Sequence, residues 1–246
     1  MNLLGLGFVG LFFILMLGFV LIIRKQETRN LRDIPAFYRL SGAVELSVED
    51  GSRLHIAIGK NSINSTRSAS ALVGLRMLSQ ITHIASEGDH PPVATAGDPT
   101  LAILAQDSLR AAYHSLGRID SYDPSLGRVA GLTPYSYAAG MLPIIQDEDV
   151  SVNVMVGSFD EEAGLVAVKA EQNQSFTLAG ADSLPGQAVL FAAADEILIG
   201  EEMFAGGAYL DAGPAHVASL HAQDIVRYIV VLAIIGSAIL NLVGII

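Results

Sequence analysis

Residues 150–156 read VSVNVMV, and this stretch decides the fold. Valine stands at every second position, a period of two in a β-branched residue, which predicts a strand. Gly157-Ser158-Phe159-Asp160 follows, and Ala163, Val166, Ala167 and Ala170 then recur at helical spacing, so a helix is predicted from Asp160 to about Gln172. Further along, residues 175–179 and 187–193 (QAVLFAA) read as two more strands, and Asp195 opens a helix to about Leu210. In the other direction, Thr133-Pro134 and Asp98-Pro99 each place a capping residue before a proline, the signature of a helix start. The first helix runs to about Asp147, disturbed at Pro143, and the second to about Leu116. Residues 117–132 are loop-like, 93–96 a short strand, and 66–86 a helix with Leu72, Leu75, Leu78, Ile81 and Ala85 near one face. Residues 43–48 (AVELSV) and 54–58 (LHIAI) alternate around Glu49-Asp50-Gly51-Ser52, which reads as a β-hairpin. Strands alternating with helices imply βαβ units with right-handed crossovers. The expected fold is a three-layer, Rossmann-like parallel-sheet α/β domain over residues 41–213, with an N-terminal β-hairpin at its edge.

The chain has 246 residues, 14 Lys+Arg against 25 Asp+Glu, and no Cys or Trp, with a mean hydropathy of +0.47. Such hydrophobicity excludes a disordered chain. The acidic balance excludes a nucleic-acid partner, because phosphate affinity comes from Lys and Arg. Without Cys there are no disulfides, thiol catalysis or thiolate metal sites. The apolar excess lies at the two ends. Leu3–Ile23 is a 21-residue run without charge, and residues 228–246 form a second of 19. Each suffices to cross a hydrocarbon core of about 30 Å at about 1.5 Å per residue. The first lacks a preceding positive charge and a following A-x-A site, so it reads as a retained span rather than a cleaved signal. Arg24, Lys25, Arg29 and Arg32 follow it, and Arg227 precedes the second. Under the positive-inside rule the expected topology is a two-span hairpin in the plasma membrane, with the intervening domain cytoplasmic and both termini outside. Residues 1–23 are then the first span, 24–40 a basic flank, and 214–246 a stalk helix continuing into the second span. Residues 40–227 carry 9 basic and 23 acidic groups, a net of −14. The flank suits anionic headgroups, whereas the acidic body is expected to stand away from them.

In α/β sheets ligands bind at the carboxyl ends of strands. There Asp98, Asp160, Asp182 and Asp195 each follow small residues, the pattern of a carboxylate crevice able to hold a divalent cation through oxygen ligands. Helix capping explains the same four acids without a ligand and is the preferred reading. Glu87, Asp89 and His90 lie close in sequence and read as a polar loop before Pro91-Pro92. His221 and Asp224 are one helical turn apart, which predicts a local ion pair. Gly5-Leu6-Gly7-Phe8-Val9-Gly10 has the G-x-G-x-x-G spacing but lies inside the first apolar run, where small residues serve helix approach rather than a dinucleotide. No cofactor and no catalytic residue is expected. Ala233, Ser237 and Asn241 recur every four residues in the second apolar run and predict a helix-association face.

Residues 189–210, VLFAAADEILIGEEMFAGGAYL, resemble a family of uncharacterised prokaryotic membrane proteins with a domain of unknown function. The resemblance extends from Arg24 through Val152 to the second apolar run. It implies a membrane hairpin around an α/β domain and brings no activity or site residue. The expected role is structural: a scaffold that self-associates into a homo-oligomer, with small-residue surfaces near Ala205-Gly206-Gly207-Ala208 as contacts. A membrane-anchored sensor of a ligand or divalent metal is the alternative.

Overall fold

A computed structural model describes residues 3–23, 31–65, 68–85, 88, 90–210 and 213–242. In chain order the elements are α1 (Leu3–Ile23), α2 (Pro35–Asp50), β1 (Arg53–Ala57), α3 (Ser68–Ala85), β2 (Val93–Ala96) and α4 (Pro99–Ser115). There follow β3 (Gly127–Val129), α5 (Pro134–Asp147), β4 (Val150–Gly157), α6 (Ala163–Gln172) and β5 (Phe176–Ala181). Then come α7 (Leu184–Ala193), β6 (Glu196–Ile197), α8 (Glu202–Tyr209) and α9 (Pro214–Leu242). Two compact units result. Residues 1–33 and 212–246 make one, and Ile34–Asp211 the other, so the α/β unit takes in residues 34–40 from the expected flank.

All six strands are parallel, in the order β3-β2-β1-β4-β5-β6. The alternation at 150–156 explains the layering, because successive side chains point to opposite faces. Val152, Val154 and Val156 join Leu54 and Ile56 in a core covered by α2, α3 and α4. Met155, Ala57, Ala179 and Ala181 face a second core built by Tyr137 and Met141 of α5, Val166 and Ala170 of α6, and Leu190 of α7. Each such large apolar side chain contributes about 1.5–3 kcal/mol on full burial. At the amino edge, Glu148 ties Arg53 of β1 (2.6 Å) and Arg128 of β3 to the start of β4. Burial pushes its carboxyl pKa up, but the two guanidinium groups outweigh this and hold it below the usual glutamate value.

Three expected elements are corrected. The N-terminal β-hairpin does not form: residues 43–48 belong to α2, and β1 pairs in parallel with β2 and β4. Phe37, Leu40 and Val44 are buried at helical spacing. Gly51, at φ 68°, ends α2 in the left-handed conformation, with its N–H bonded to Ser47 and Val48 carbonyls and Ser52 N–H closing on Ser47. The turn chemistry is therefore that of a helix C-terminus. Residues 187–193 lie in α7, started by Ser183, whose Oγ accepts from Gly186 N–H at 3.1 Å. The run is apolar all round, so its period is silent. Asp195 precedes the two-residue edge strand β6 rather than opening a helix. Ala205, Gly206, Gly207 and Ala208 of α8 are buried within the unit, not on its surface. A Cβ on Gly206 would come within 2.7 Å of Met77 Sδ on α3.

In the other unit, α1 and α9 pack together, with the Phe19 and His221 rings 5.6 Å apart. Both helices are long and apolar enough to cross a membrane, at mean hydropathies of 2.7 and 2.2.

Candidate functional site

The order of the sheet reverses direction between β1 and β4, and at that switch point parallel α/β sheets open a ligand crevice beyond the carboxyl ends of their strands. Here the two strand exits are zipped to each other. Lys60 N–H donates to Ser158 O (3.1 Å), and Gly97 N–H, after β2, donates to Gly59 O (2.9 Å). Gly59, at φ 84°, permits this approach: a Cβ there would sit 2.4 Å from Ser158 N. Beyond the backbone contact, Lys60 Nζ donates to Asp160 Oδ2 and Glu162 Oε1, both at 2.7 Å. The Glu162 side chain is only 1% exposed, and its Oε1 also accepts from Asp160 N–H at 3.2 Å. Burial lowers the Lys60 pKa, but the hydrogen bonds and charges of the two acids outweigh it and raise it above the ordinary lysine value. Beyond the carboxyl ends of β1 and β4 the protein thus carries its own ammonium–carboxylate cluster.

The four strand-end acids separate into distinct roles. Asp98 caps α4, with Oδ1 accepting from Leu101 N–H at 3.1 Å. Asp160 pairs with Lys60. Asp182 Oδ2 accepts from Ser70 Oγ at 2.8 Å, while its Oδ1 is buried without a hydrogen-bond partner. Asp195 lies before β6 and accepts from Thr177 N–H (2.8 Å), near the start of β5. It therefore belongs to the amino end of the sheet, away from the other three. Among the described residues no group of three or more His, Asp or Glu converges to hold a metal ion. Glu87 and Asp89, like Arg24, Lys25 and Arg29, lie outside the described residues. Arg32 is exposed, and Arg227 donates to Asp224 Oδ1 at 3.4 Å. Ala233, Ser237 and Asn241 share one exposed face of α9 along a groove of about 740 Å³.

Below the crevice runs a buried polar row across the sheet. His55 Nδ1 meets Asn153 Oδ1 at 2.8 Å, and Nε2 meets Thr95 Oγ1 at 2.9 Å. Because the amide oxygen only accepts, Nδ1 carries the proton and Nε2 accepts from the hydroxyl. Tyr137 OH donates to Thr95 O at 2.9 Å. In the next strand Thr177 stands in register with Asn153, and Asn153 Nδ2 and Thr177 Oγ1 are buried without partners. Burial pushes the His55 pKa down to about 4 and the Tyr137 phenol up. Composition gives no sign of this row. Lys60 is equally silent as a single basic residue, although its place just after the LHIAI strand is a usable signal.

Strand order and switch point together define a doubly wound, Rossmann-like α/β protein. The chain belongs to the family described as a domain of unknown function, DUF6754, whose model matches residues 2–246. Nothing among the curated proteins and nothing among the solved structures matches it.

Proposed function

We propose that this protein is an integral membrane scaffold whose copies associate into a homo-oligomer. In this reading α1 and α9 cross the plasma membrane, the α/β unit is cytoplasmic and both termini are outside. One observation carries the self-association. Helix α7, LPGQAVLFAA, has no charged residue and leaves Leu184 80% and Phe191 68% exposed. Leu165 and Val168 of α6 line, with Val189 and Ala192 of α7, an apolar groove of about 830 Å³. Contiguous apolar surface of this kind marks an interaction site. The Arg24, Lys25, Arg29, Arg32 and Arg227 flanks support the sidedness. The Ala233, Ser237 and Asn241 face offers a second contact, in the bilayer. Light scattering of the full chain in mild detergent tests the association, and monomeric particles overturn it. Because the chain lacks Cys, single cysteines at Asn2 and His90 probe topology. An impermeant thiol reagent should label the first in intact cells and the second only after lysis, and the reverse overturns the orientation.

The sensor reading is favoured by one observation, the buried and unpartnered Oδ1 of Asp182. A rise in thermal stability with Mg²⁺ or Ca²⁺, abolished by Asp182→Asn, supports it, and unchanged stability overturns it.

A further inference from the structure

The apolar face of α6 and α7 has one charge of each sign at its ends. Glu161 and Lys169 line the same groove as Leu165 and Val168. The turn leading into α6 continues its spiral, Gly164 N–H donating to Glu161 O at 3.2 Å, so residues 161, 165, 168 and 169 share a face. Eight residues separate the two charges, about 12 Å at 1.5 Å per residue, and Leu165 stands midway. Over residues 140–227 Lys169 and Arg227 are the whole basic complement, against 14 carboxylates. Neither the Lys169 ammonium nor the Glu161 carboxylate has a hydrogen bond or ion pair among the described residues.

A two-fold interface uses one patch twice, so that patch must complement itself. Two charges of opposite sign, equally distant from an apolar centre, meet this requirement when the helices run antiparallel, whereas a parallel arrangement sets like charges together. Two copies that are each strongly acidic repel over most of their surfaces, and the repulsion is weakest where the local charge cancels. We propose that a second copy of the chain seats on this face about a two-fold axis beside Leu165, with α6 antiparallel to its mate. Glu161 of each copy then faces Lys169 of the other, and Val189 and Ala192 of α7 extend the apolar contact. This rests on the self-association proposed above and names its surface.

The test uses the full chain in detergent and its lack of Cys. Leu165→Cys, next to the axis, should form a disulfide-linked dimer under mild oxidation. Ile103→Cys, on exposed α4, should give at least tenfold less. Adding Lys169→Glu to Leu165→Cys should cut the dimer at least tenfold, and adding Glu161→Lys as well should restore it. Recovery by the double exchange separates charge pairing from misfolding, which no second reversal would mend. If the particles exceed one chain but Leu165→Cys links no better than Ile103→Cys, this face is wrong and self-association stands. If every particle is a monomer, both readings fall. If the double exchange stays unlinked, the antiparallel pairing is overturned.

Discussion

Acidification should unfold this protein through His55. The imidazole is fully enclosed between β2 and β4, and as the neutral tautomer it has a partner at each ring nitrogen. Its folded pKa of about 4 lies below the 6.5 of the unfolded chain. Between these values the unfolded state binds the extra proton, so the stabilisation is present above pH 6.5 and is lost as pH falls through 4. Each tenfold difference in proton affinity between the two states is worth about 1.4 kcal/mol. The full loss is then about 3 kcal/mol, of which about 2 kcal/mol is gone by pH 5. That window stays above the ordinary carboxylate range, and comparison with a His55 variant separates the imidazole's share from that of the other five histidines. Urea unfolding of the full chain in detergent, followed by circular dichroism at pH 7 and pH 5, measures the loss. His55→Gln keeps a donor and an acceptor but cannot titrate. It should start less stable at pH 7 and lose about 2 kcal/mol less than the natural chain on going to pH 5. Equal losses in the two proteins would refute the buried, neutral imidazole.

Lys60→Met leaves Glu162 buried without its cation and should cost about 3–5 kcal/mol in the same unfolding assay, with Lys60→Met/Glu162→Gln recovering part of it. Asp98→Ala should lower stability by about 1 kcal/mol through loss of the α4 cap, and Asp98→Ser should keep most of it. Gly59→Ala meets Ser158 N at 2.4 Å and a left-handed φ, so expression of folded protein should fall sharply, whereas Gly42→Ala, inside α2 with open space around it, should stabilise by about 0.4–1 kcal/mol and raise the melting temperature.

What is legible in the sequence follows from the physics of each element. Helices α3, α4 and α5 are readable because each has one buried side, which leaves a clear period or a cap with proline, and strand β4, buried on both faces, is readable because valine recurs at every second position. Helix α2 misleads because a left-handed glycine serves a helix end as well as a hairpin, and the six residues 43–48 happen to alternate. Helix α7 misleads for the opposite reason: exposed Phe191 and Leu184 erase the polar side that a surface helix normally shows. The acids at the strand ends are visible, but their separation is not. Whether an aspartate caps, pairs or turns to the other end of the sheet depends on partners such as Ser70, Lys60 and Thr177, far away in the chain. Lys60 shows this most plainly, because its partners are 100 and 102 residues downstream.

The pairing of β1 with β4 has a consequence for synthesis. His55 waits 98 residues for Asn153, which at a translation rate of about 5–20 residues per second is on the order of 5–20 s. During that interval one edge of β1 has its backbone donors and acceptors open, in a nascent chain whose first apolar segment has already left the ribosome. A ribosome pause between residues 100 and 150 would lengthen that exposure, and the strand most at risk of wrong pairing is the one that later stands at the centre of the sheet.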